Sequence, residues 1–124
     1  MSDNRRILVV EDDPDGQALV SHVLDYLNIA IDVVGDAEQA SHCLFDSDTA
    51  YRAVIVDLAL PGRDGWNLLA DIRANRKTAN LPCVAITAFH TSKIREQAVH
   101  AGFAAYFPKP LDVASFAQEL EALI

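Results

Sequence analysis

A short run of apolar residues, Ala53–Val56 (AVIV), constrains the fold more than any other stretch of the chain. The run is too short for a helix and is typical of a strand buried on both faces, as in a parallel sheet. It ends at a carboxylate, Asp57, and Pro61, Gly62 and Gly65 then mark a loop. Ligands bind at the carboxyl edge of open α/β sheets. Asp57 is therefore a candidate functional residue, although this run alone leaves open that it only caps a loop.

Four further apolar runs predict strands, and amphipathic segments between them predict helices. The predicted strands are Ile7–Val10, Ile29–Val34, Leu81–Thr87 and Phe103–Phe107. We expect the helices to begin at Pro14, after Asp36, near Trp66, after Thr91 or Ser92, and after Asp112. Their predicted inward-facing residues are Val20, Val23, Leu24 and Leu27, then Ala37, Ala40 and Leu44, then Trp66, Leu69 and Ile72, and last Val113, Phe116, Leu120 and Leu123.

Five strands alternating with five helices predict an α/β fold with a doubly wound parallel sheet, in a three-layer sandwich. The chain has 124 residues, which suits one domain over residues 1–124. Pro108 cannot donate a ladder hydrogen bond, so the fifth strand is expected at a sheet edge. The flavodoxin-like strand order 2-1-3-4-5 meets that condition and places the first and third strands side by side.

Composition excludes several classes of function. The net charge of −8 argues against a nucleic-acid surface. No apolar run approaches the roughly 20 residues of a membrane span, and the start, MSDNRR, leads into too short an apolar run for a signal peptide. A cytoplasmic location is therefore expected. Cys43 and Cys83 form no CxxC pair, and we expect both to be buried thiols.

Polar side chains at four strand ends are expected to meet at one edge of the sheet. They are Glu11, Asp12 and Asp13 after the first strand, Asp57 at the end of the third strand (Ala53–Asp57), Thr87 at the end of the fourth and Lys109 after the fifth. Clustered carboxylates repel one another unless a cation intervenes, and Mg²⁺ is the hard cation that binds one or two carboxylates together with phosphate. A carboxylate beside Mg²⁺, an ammonium and a hydroxyl is equipped to accept a phosphoryl group.

These motifs resemble the receiver domain of two-component response regulators, the CheY-like family. The resemblance spans the chain, with VVEDD at 9–13, VDLALPGRDG at 56–65, ITA at 86–88 and YFPKP at 106–110. It implies that a histidine kinase or histidine phosphotransfer protein donates a phosphoryl group to this chain, which then acts on an unknown downstream protein. A second copy of the chain, bound through the fourth helix, fifth strand and fifth helix, is a candidate partner; neither a membrane nor nucleic acid is expected.

The resemblance also implies roles for individual residues. Asp57 is the phosphoacceptor, and Asp12 and Asp57 bind Mg²⁺ directly, with the Ala59 backbone carbonyl as a further ligand and Glu11 acting through water. Thr87 and Lys109 hold the phosphoryl oxygens, Thr87 and Tyr106 form the switch, and the Lys109–Pro110 bond is cis. Family members often carry a larger or polar side chain where this chain has Ala59, so the lifetime of the phosphorylated state is open.

Other interpretations apply to several of these residues. Asp13 could be a charge at a helix start instead of a ligand, and Tyr106 could pack at an edge strand without switching. The four histidines have no metal-ligand spacing and are expected to be solvated; among them only His90 follows the fourth strand, from where it could modulate the site. We expect Trp66 to be partly buried packing.

Three alternative functions differ in what they would show. A pseudo-receiver would bind partners without phosphorylation. A flavodoxin-like electron carrier would be yellow, and its flavin phosphate would meet an acidic loop after the first strand. An aspartyl phosphatase would offer a second carboxylate at position 59, which is Ala59. The closeness of Met1 to the first strand argues against a preceding domain, and the chain is either a free-standing receiver or the amino-terminal part of a longer protein.

Overall fold

Parallel strands alternate with helices along the parts of the chain that the computed structural model describes, residues 6–59 and 65–124. The elements are β1 Arg6–Val10, α1 Pro14–Tyr26, β2 Ala30–Val34, α2 Ala37–Phe45, β3 Ala53–Asp57, α3 Gly65–Ala74, β4 Cys83–Thr87, α4 Ser92–Ala101, β5 Ala105–Pro108 and α5 Val113–Leu123. The strand order is β2-β1-β3-β4-β5, with every neighbouring pair parallel. The predicted doubly wound sheet is confirmed.

The sheet lies between two apolar layers because alternate strand residues face opposite sides. One cluster joins Leu8, Val54 and Ala85 to the inner faces of α2 and α3. The other joins Ile55 and Val84 to the inner faces of α1 and α5. Residues 7–10, 53–57 and 83–87 are buried throughout, so the three central strands have no solvated face.

Registry brings the strand ends together. Val10 lies opposite Val56, and Asp57 lies opposite Ile86. On the side of β4 that faces away from β3, Thr87 lies opposite Pro108 of β5. The residues that follow β1, β3 and β5 therefore lie around one edge of the sheet.

Several predicted strand boundaries were wrong. Phe103 was expected to open β5, but its amide donates to the carbonyl of Ala98 and so closes α4, whose C-cap Gly102 has φ 111°. Pro108 was placed after the strand and instead ends it, opposite Thr87 at the sheet edge where no ladder donor is needed. The fourth strand begins at Cys83 rather than Leu81.

Several burial predictions also needed correction. Val113 was expected to face inward but is 44% exposed, because α5 buries Phe116 and Leu120 instead. Cys83 is buried as expected, whereas Cys43 is half-buried.

The predicted loop after β3 is tested at one residue. Gly65 opens α3 instead of lying in the loop, and the predicted loop residues Pro61 and Gly62 lie outside the described ranges.

Candidate functional site

The β1–α1 connection fixes three acidic residues at the edge of the sheet. The Glu11 amide continues the ladder by donating to the Val34 carbonyl at 3.0 Å. Asp13 is the N-cap of α1, and its carboxylate accepts from the Gly16 amide at 3.2 Å. The side chain of Asp13 is thus used for capping, as the helix-start interpretation predicted. Asp12, between them, is exposed.

Asp57 lies where β3 leaves the sheet, and its side chain is nearly enclosed. The residue is 5% exposed. Its Oδ1 accepts from the Ala59 amide at 2.9 Å, and the next backbone amide, of Leu58, donates to Ile86 at 2.9 Å. The carboxylate is therefore held in a fixed orientation by its own turn and by the neighbouring strand.

Lys109 reaches the same carboxylate from β5. Its ammonium Nζ donates to Asp57 Oδ2 at 3.0 Å and also to Glu11 Oε1. Its backbone amide donates to the Thr87 carbonyl at 2.8 Å, which ties the β5 end to the β4 end. The Lys109–Pro110 bond is cis, as expected. One ammonium thus joins two buried carboxylates.

The pKa values of the Glu11 and Asp57 carboxylates shift in opposite directions. Burial raises the pKa of Glu11 to about 7, its hydrogen bond with Asp57 adds to the rise, and Lys109 opposes it. Burial also acts to raise the pKa of Asp57, but hydrogen bonds with Glu11, the Ala59 amide and Lys109 outweigh it and hold the value below the usual range. The pKa of Lys109 is raised, because its bonds with both carboxylates outweigh the effect of burial. At neutral pH Asp57 is the ionised carboxylate.

The residues present suit a hard divalent cation. Glu11, Asp12 and Asp57 each offer a carboxylate oxygen, and these oxygens lie within 4.8 Å of one another. Glu11 Oε2 is buried without a hydrogen-bond partner among the described residues. Buried acceptors normally have a partner, so this oxygen is suited to bind a ligand or a coordinated water. Oxygen donors of this kind are those Mg²⁺ prefers.

Thr87 lies on β4, next to the strand that carries Asp57, and Tyr106 lies on β5, one strand further along the sheet. Thr87 is buried at the end of β4, and its hydroxyl accepts from the Phe89 amide at 3.1 Å. Tyr106 is 7% exposed, so its ring already lies inside. Its hydroxyl lies 3.0 Å from His90 Nδ1, and the Arg95 guanidinium lies 5.9 Å from its ring centroid.

Sequence reasoning missed two contacts of the site. The direct bond between Lys109 and Glu11 was not foreseen, because the acidic run gave no sign of which carboxylate the lysine would reach. His90 is exposed, as expected for a solvated histidine, but its bond to Tyr106 depends on the loop conformation. Trp66 is half-buried and packs edge-on against Phe103 at 5.8 Å between centroids, as predicted.

Comparison with known proteins identifies the class to which this fold and site belong. The model of the response regulator receiver domain family matches residues 7–121. An uncharacterised 14.6 kDa protein of Leptolyngbya boryana is 33% identical over 106 residues, 86% of this chain and 79% of its own length. The response regulator RppA of Synechocystis is 34% identical over 118 residues, 95% of this chain and 50% of its own length.

A solved structure supports the same assignment. The receiver domain of the sensor histidine kinase PA1611 from Pseudomonas aeruginosa, which has a magnesium ion in its active-site cleft, superposes with a TM-score of 0.85. It is 30% identical, with 98% of each chain covered. The chain therefore belongs to the response regulator receiver domain family, whose members are signalling switches and not classical enzymes.

The chain spans half or less of the length of several curated relatives that it matches, among them RppA at 50% and the transcriptional regulatory protein TcrA of Mycobacterium tuberculosis at 45%. Across residues 6–59 and 65–124, every helix is too short or too polar to cross a membrane.

Proposed function

We propose that this chain accepts a phosphoryl group on Asp57 from a phosphohistidine of a histidine kinase or histidine phosphotransfer protein. The observation that carries the proposal is the position of Lys109 Nζ, 3.0 Å from Asp57 Oδ2, in a cluster with two further carboxylates. A structural ion pair alone would not need the extra acidic groups, which repel each other in the absence of a cation.

Asp57 has the properties of a nucleophile in this reaction. Its lowered pKa keeps it ionised, and its bonds to the Ala59 amide and Lys109 fix its orientation. An oxygen of Asp57 attacks phosphorus in line, the P–N bond to the donor imidazole breaks, and an acyl phosphate forms. Lys109 and the Thr87 hydroxyl then hold phosphoryl oxygens, and the ammonium balances their charge.

Mg²⁺ is the cofactor we propose for this step. Asp12 and Asp57 would hold it, with the Ala59 carbonyl as a further ligand and Glu11 acting through a water. When bound, the ion supplies positive charge that offsets the carboxylates and the incoming phosphoryl group. This assignment is supported by the orphaned Glu11 Oε2 and by the closeness of the three carboxylates.

The output is a shift between two arrangements of the α4–β5–α5 face. The acyl phosphate carries about −1.5 to −2 charges, and it draws Thr87 toward itself, so that Tyr106 settles further inward. Only a difference in the phosphoryl group's interaction with the two arrangements can shift their populations. The face would bind a downstream protein or a second copy of the chain, in the cytoplasm. An unphosphorylated interaction module is the alternative function.

The test is labelling by acetyl phosphate with Mg²⁺, read by intact-mass spectrometry. The parent protein should gain one phosphoryl group, and Asp57→Asn should gain none. Asp25→Asn, which removes the same charge from an exposed position of α1, is the matched control and should label fully. Full labelling of the Asp57 variant would overturn the assignment of the phosphoacceptor, and an unlabelled parent would favour the unphosphorylated interaction module.

A further inference from the structure

Gly16 occupies a helical position where its backbone does not require glycine. It lies in the first turn of α1, after Pro14 and Asp15. Within the described residues the glycine with a left-handed φ is Gly102, not Gly16. Glycine in a helix is less favourable than alanine because it loses more backbone freedom on folding. Another feature of the structure must therefore account for it.

The Glu11 side chain fills the space that a side chain at position 16 would need. An ideal Cβ at Gly16 would lie 2.8 Å from Glu11 Cδ and 3.1 Å from Cγ, and closer still to Oε1. The three nearest atoms all belong to Glu11, so the conflict is with this one side chain. Oε1 is also the atom that accepts from Lys109.

The conflict differs from the one at Gly65. There a Cβ would lie 2.7 Å from the Asp57 carbonyl oxygen and 3.1 Å from Leu58 Cα, both backbone atoms that cannot move independently. Beside Gly16, in contrast, lies the far end of a flexible side chain, that of Glu11. A cavity of about 360 Å³, lined by Gly16, Glu11, Lys109 and Leu111 among others, gives that end room to move. An alanine at position 16 is therefore expected to displace the carboxylate and leave the fold intact.

We propose that Gly16 is a positioning residue, whose missing side chain lets the Glu11 carboxylate reach Lys109 and the acidic cluster. The Glu11 side chain passes over α1 through the space that a side chain at position 16 would fill. The functional consequence rests on the proposed phosphoryl-transfer site: Gly16 keeps Glu11 close to Asp12 and Asp57, and so supports cation binding there.

The test compares four proteins: the parent, Gly16→Ala, Glu11→Ala and the double variant. Mg²⁺ binding is measured by isothermal titration calorimetry. Gly16→Ala should weaken binding by about 10-fold, the size of effect seen when the support of a metal ligand is removed. In the Glu11→Ala background the same substitution should change affinity by less than about 2-fold, because the side chain that it displaces is absent.

Thermal unfolding without metal supplies the second measurement. In the Glu11→Ala background, Gly16→Ala should raise the melting temperature by about 2–4 °C through helix propensity alone. In the parent background the gain should be smaller or reversed, since the Glu11–Lys109 contact is lost. Equal effects of Gly16→Ala in the two backgrounds, in both measurements, would overturn the proposal.

The two proposals fail in distinguishable ways. A parent that neither binds Mg²⁺ nor accepts a phosphoryl group defeats the proposed function, while unequal melting shifts would still show that Gly16 positions Glu11. A parent that binds and labels normally, with a Gly16→Ala variant that binds Mg²⁺ equally well and shifts the melting temperature equally in both backgrounds, defeats the role of Gly16 alone.

Discussion

At the scale of single residues, the site depends on how one ammonium is shared between two carboxylates. Lys109 bonds to both Glu11 and Asp57, yet their acidities move in opposite directions. Glu11 is fully buried, and its Oε2 has no hydrogen-bond partner in the part of the chain that the structure describes, whereas Asp57 receives a backbone amide as well. Burial raises the pKa of Glu11, while hydrogen bonds, including that from the Ala59 amide, outweigh burial at Asp57, so that Asp57 remains ionised and Glu11 takes up a proton near neutrality.

Replacing Glu11 by glutamine should stabilise the metal-free protein above neutral pH. Folding raises the pKa of Glu11 from 4.5 to about 7. Glu11 is protonated in both the folded and the unfolded protein below pH 4.5, so the folded state is not penalised there. The folded state loses stability as the pH rises through the folded-state pKa and the buried carboxylate ionises. Glutamine stays neutral and keeps a carbonyl oxygen for Lys109. We expect Glu11→Gln to raise the free energy of unfolding at pH 8 by about 2 kcal/mol, measured by urea unfolding with EDTA.

The difference should shrink towards pH 5, where Glu11 is protonated in the folded protein. Glu121→Gln, at an exposed position of α5, is the control and should leave the pH profile unchanged. A Glu11→Gln gain of the same size at both pH values would contradict the account, because a pH-independent gain cannot come from this titration.

At the scale of elements, a side-chain bond couples the β4–α4 loop to β5. His90 lies in that loop and Tyr106 within the strand, and their polar atoms are 3.0 Å apart. The two rings also contact each other, with centroids 5.5 Å apart. Tyr106 is 7% exposed, and His90 is a hydrogen-bond partner of its hydroxyl. The loop and the strand should therefore stabilise one another.

A double-mutant cycle tests this coupling. His90→Ala should lower the free energy of unfolding by about 1 kcal/mol, since it removes a hydrogen-bond partner of the Tyr106 hydroxyl. In the Tyr106→Phe background the hydroxyl is absent and the same substitution should cost clearly less. The expected coupling energy is about 0.5–1.5 kcal/mol, measured by urea unfolding at constant pH. His100→Ala, exposed on α4, serves as control, and additive effects of His90→Ala and Tyr106→Phe would show that the bond contributes nothing.

The sequence could predict the kind and order of elements better than their ends. Periodicity reports burial, so the apolar runs at 53–56 and 83–86 predicted β3 and β4 reliably. It does not report hydrogen-bond partners, and Phe103 was therefore assigned to a strand when it closes a helix. Val113 fits the apolar spacing of α5 yet remains exposed at the first turn of the helix, which buries Phe116 and Leu120 instead.

At the scale of the whole molecule, parallel topology made the location of the site predictable. Once the strands are parallel and ordered 2-1-3-4-5, the residues after β1, β3 and β5 must meet at one edge. Glu11, Asp57 and Lys109 come together there for that reason. Topology does not fix which atoms touch, so neither the Lys109–Glu11 bond nor the fit of Gly16 to Glu11 followed from the sequence.

The same topology concentrates negative charge in a molecule that already carries a net charge of −8. Asp12 adds an exposed carboxylate to two buried ones, within 4.8 Å. Without a cation, repulsion between these carboxylates should lower the free energy of unfolding, and a bound cation should raise it again. Stability of the whole domain should therefore report on the occupancy of the site.

Addition of Mg²⁺ should reverse the order of the melting temperatures of the Asp12→Asn variant and the parent. In EDTA the variant should melt about 2–4 °C above the parent, because one repelling charge is gone. In Mg²⁺ the parent should gain more than the variant, since a ligand that binds only the folded state stabilises it in proportion to its affinity. Asp13→Asn removes the same charge one residue away and retains an N-cap side chain, so its Mg²⁺ shift should match that of the parent. Equal Mg²⁺ shifts for parent and Asp12→Asn would place any bound cation away from this cluster, and the acidic edge would then be a solvated rim that Lys109 partly neutralises.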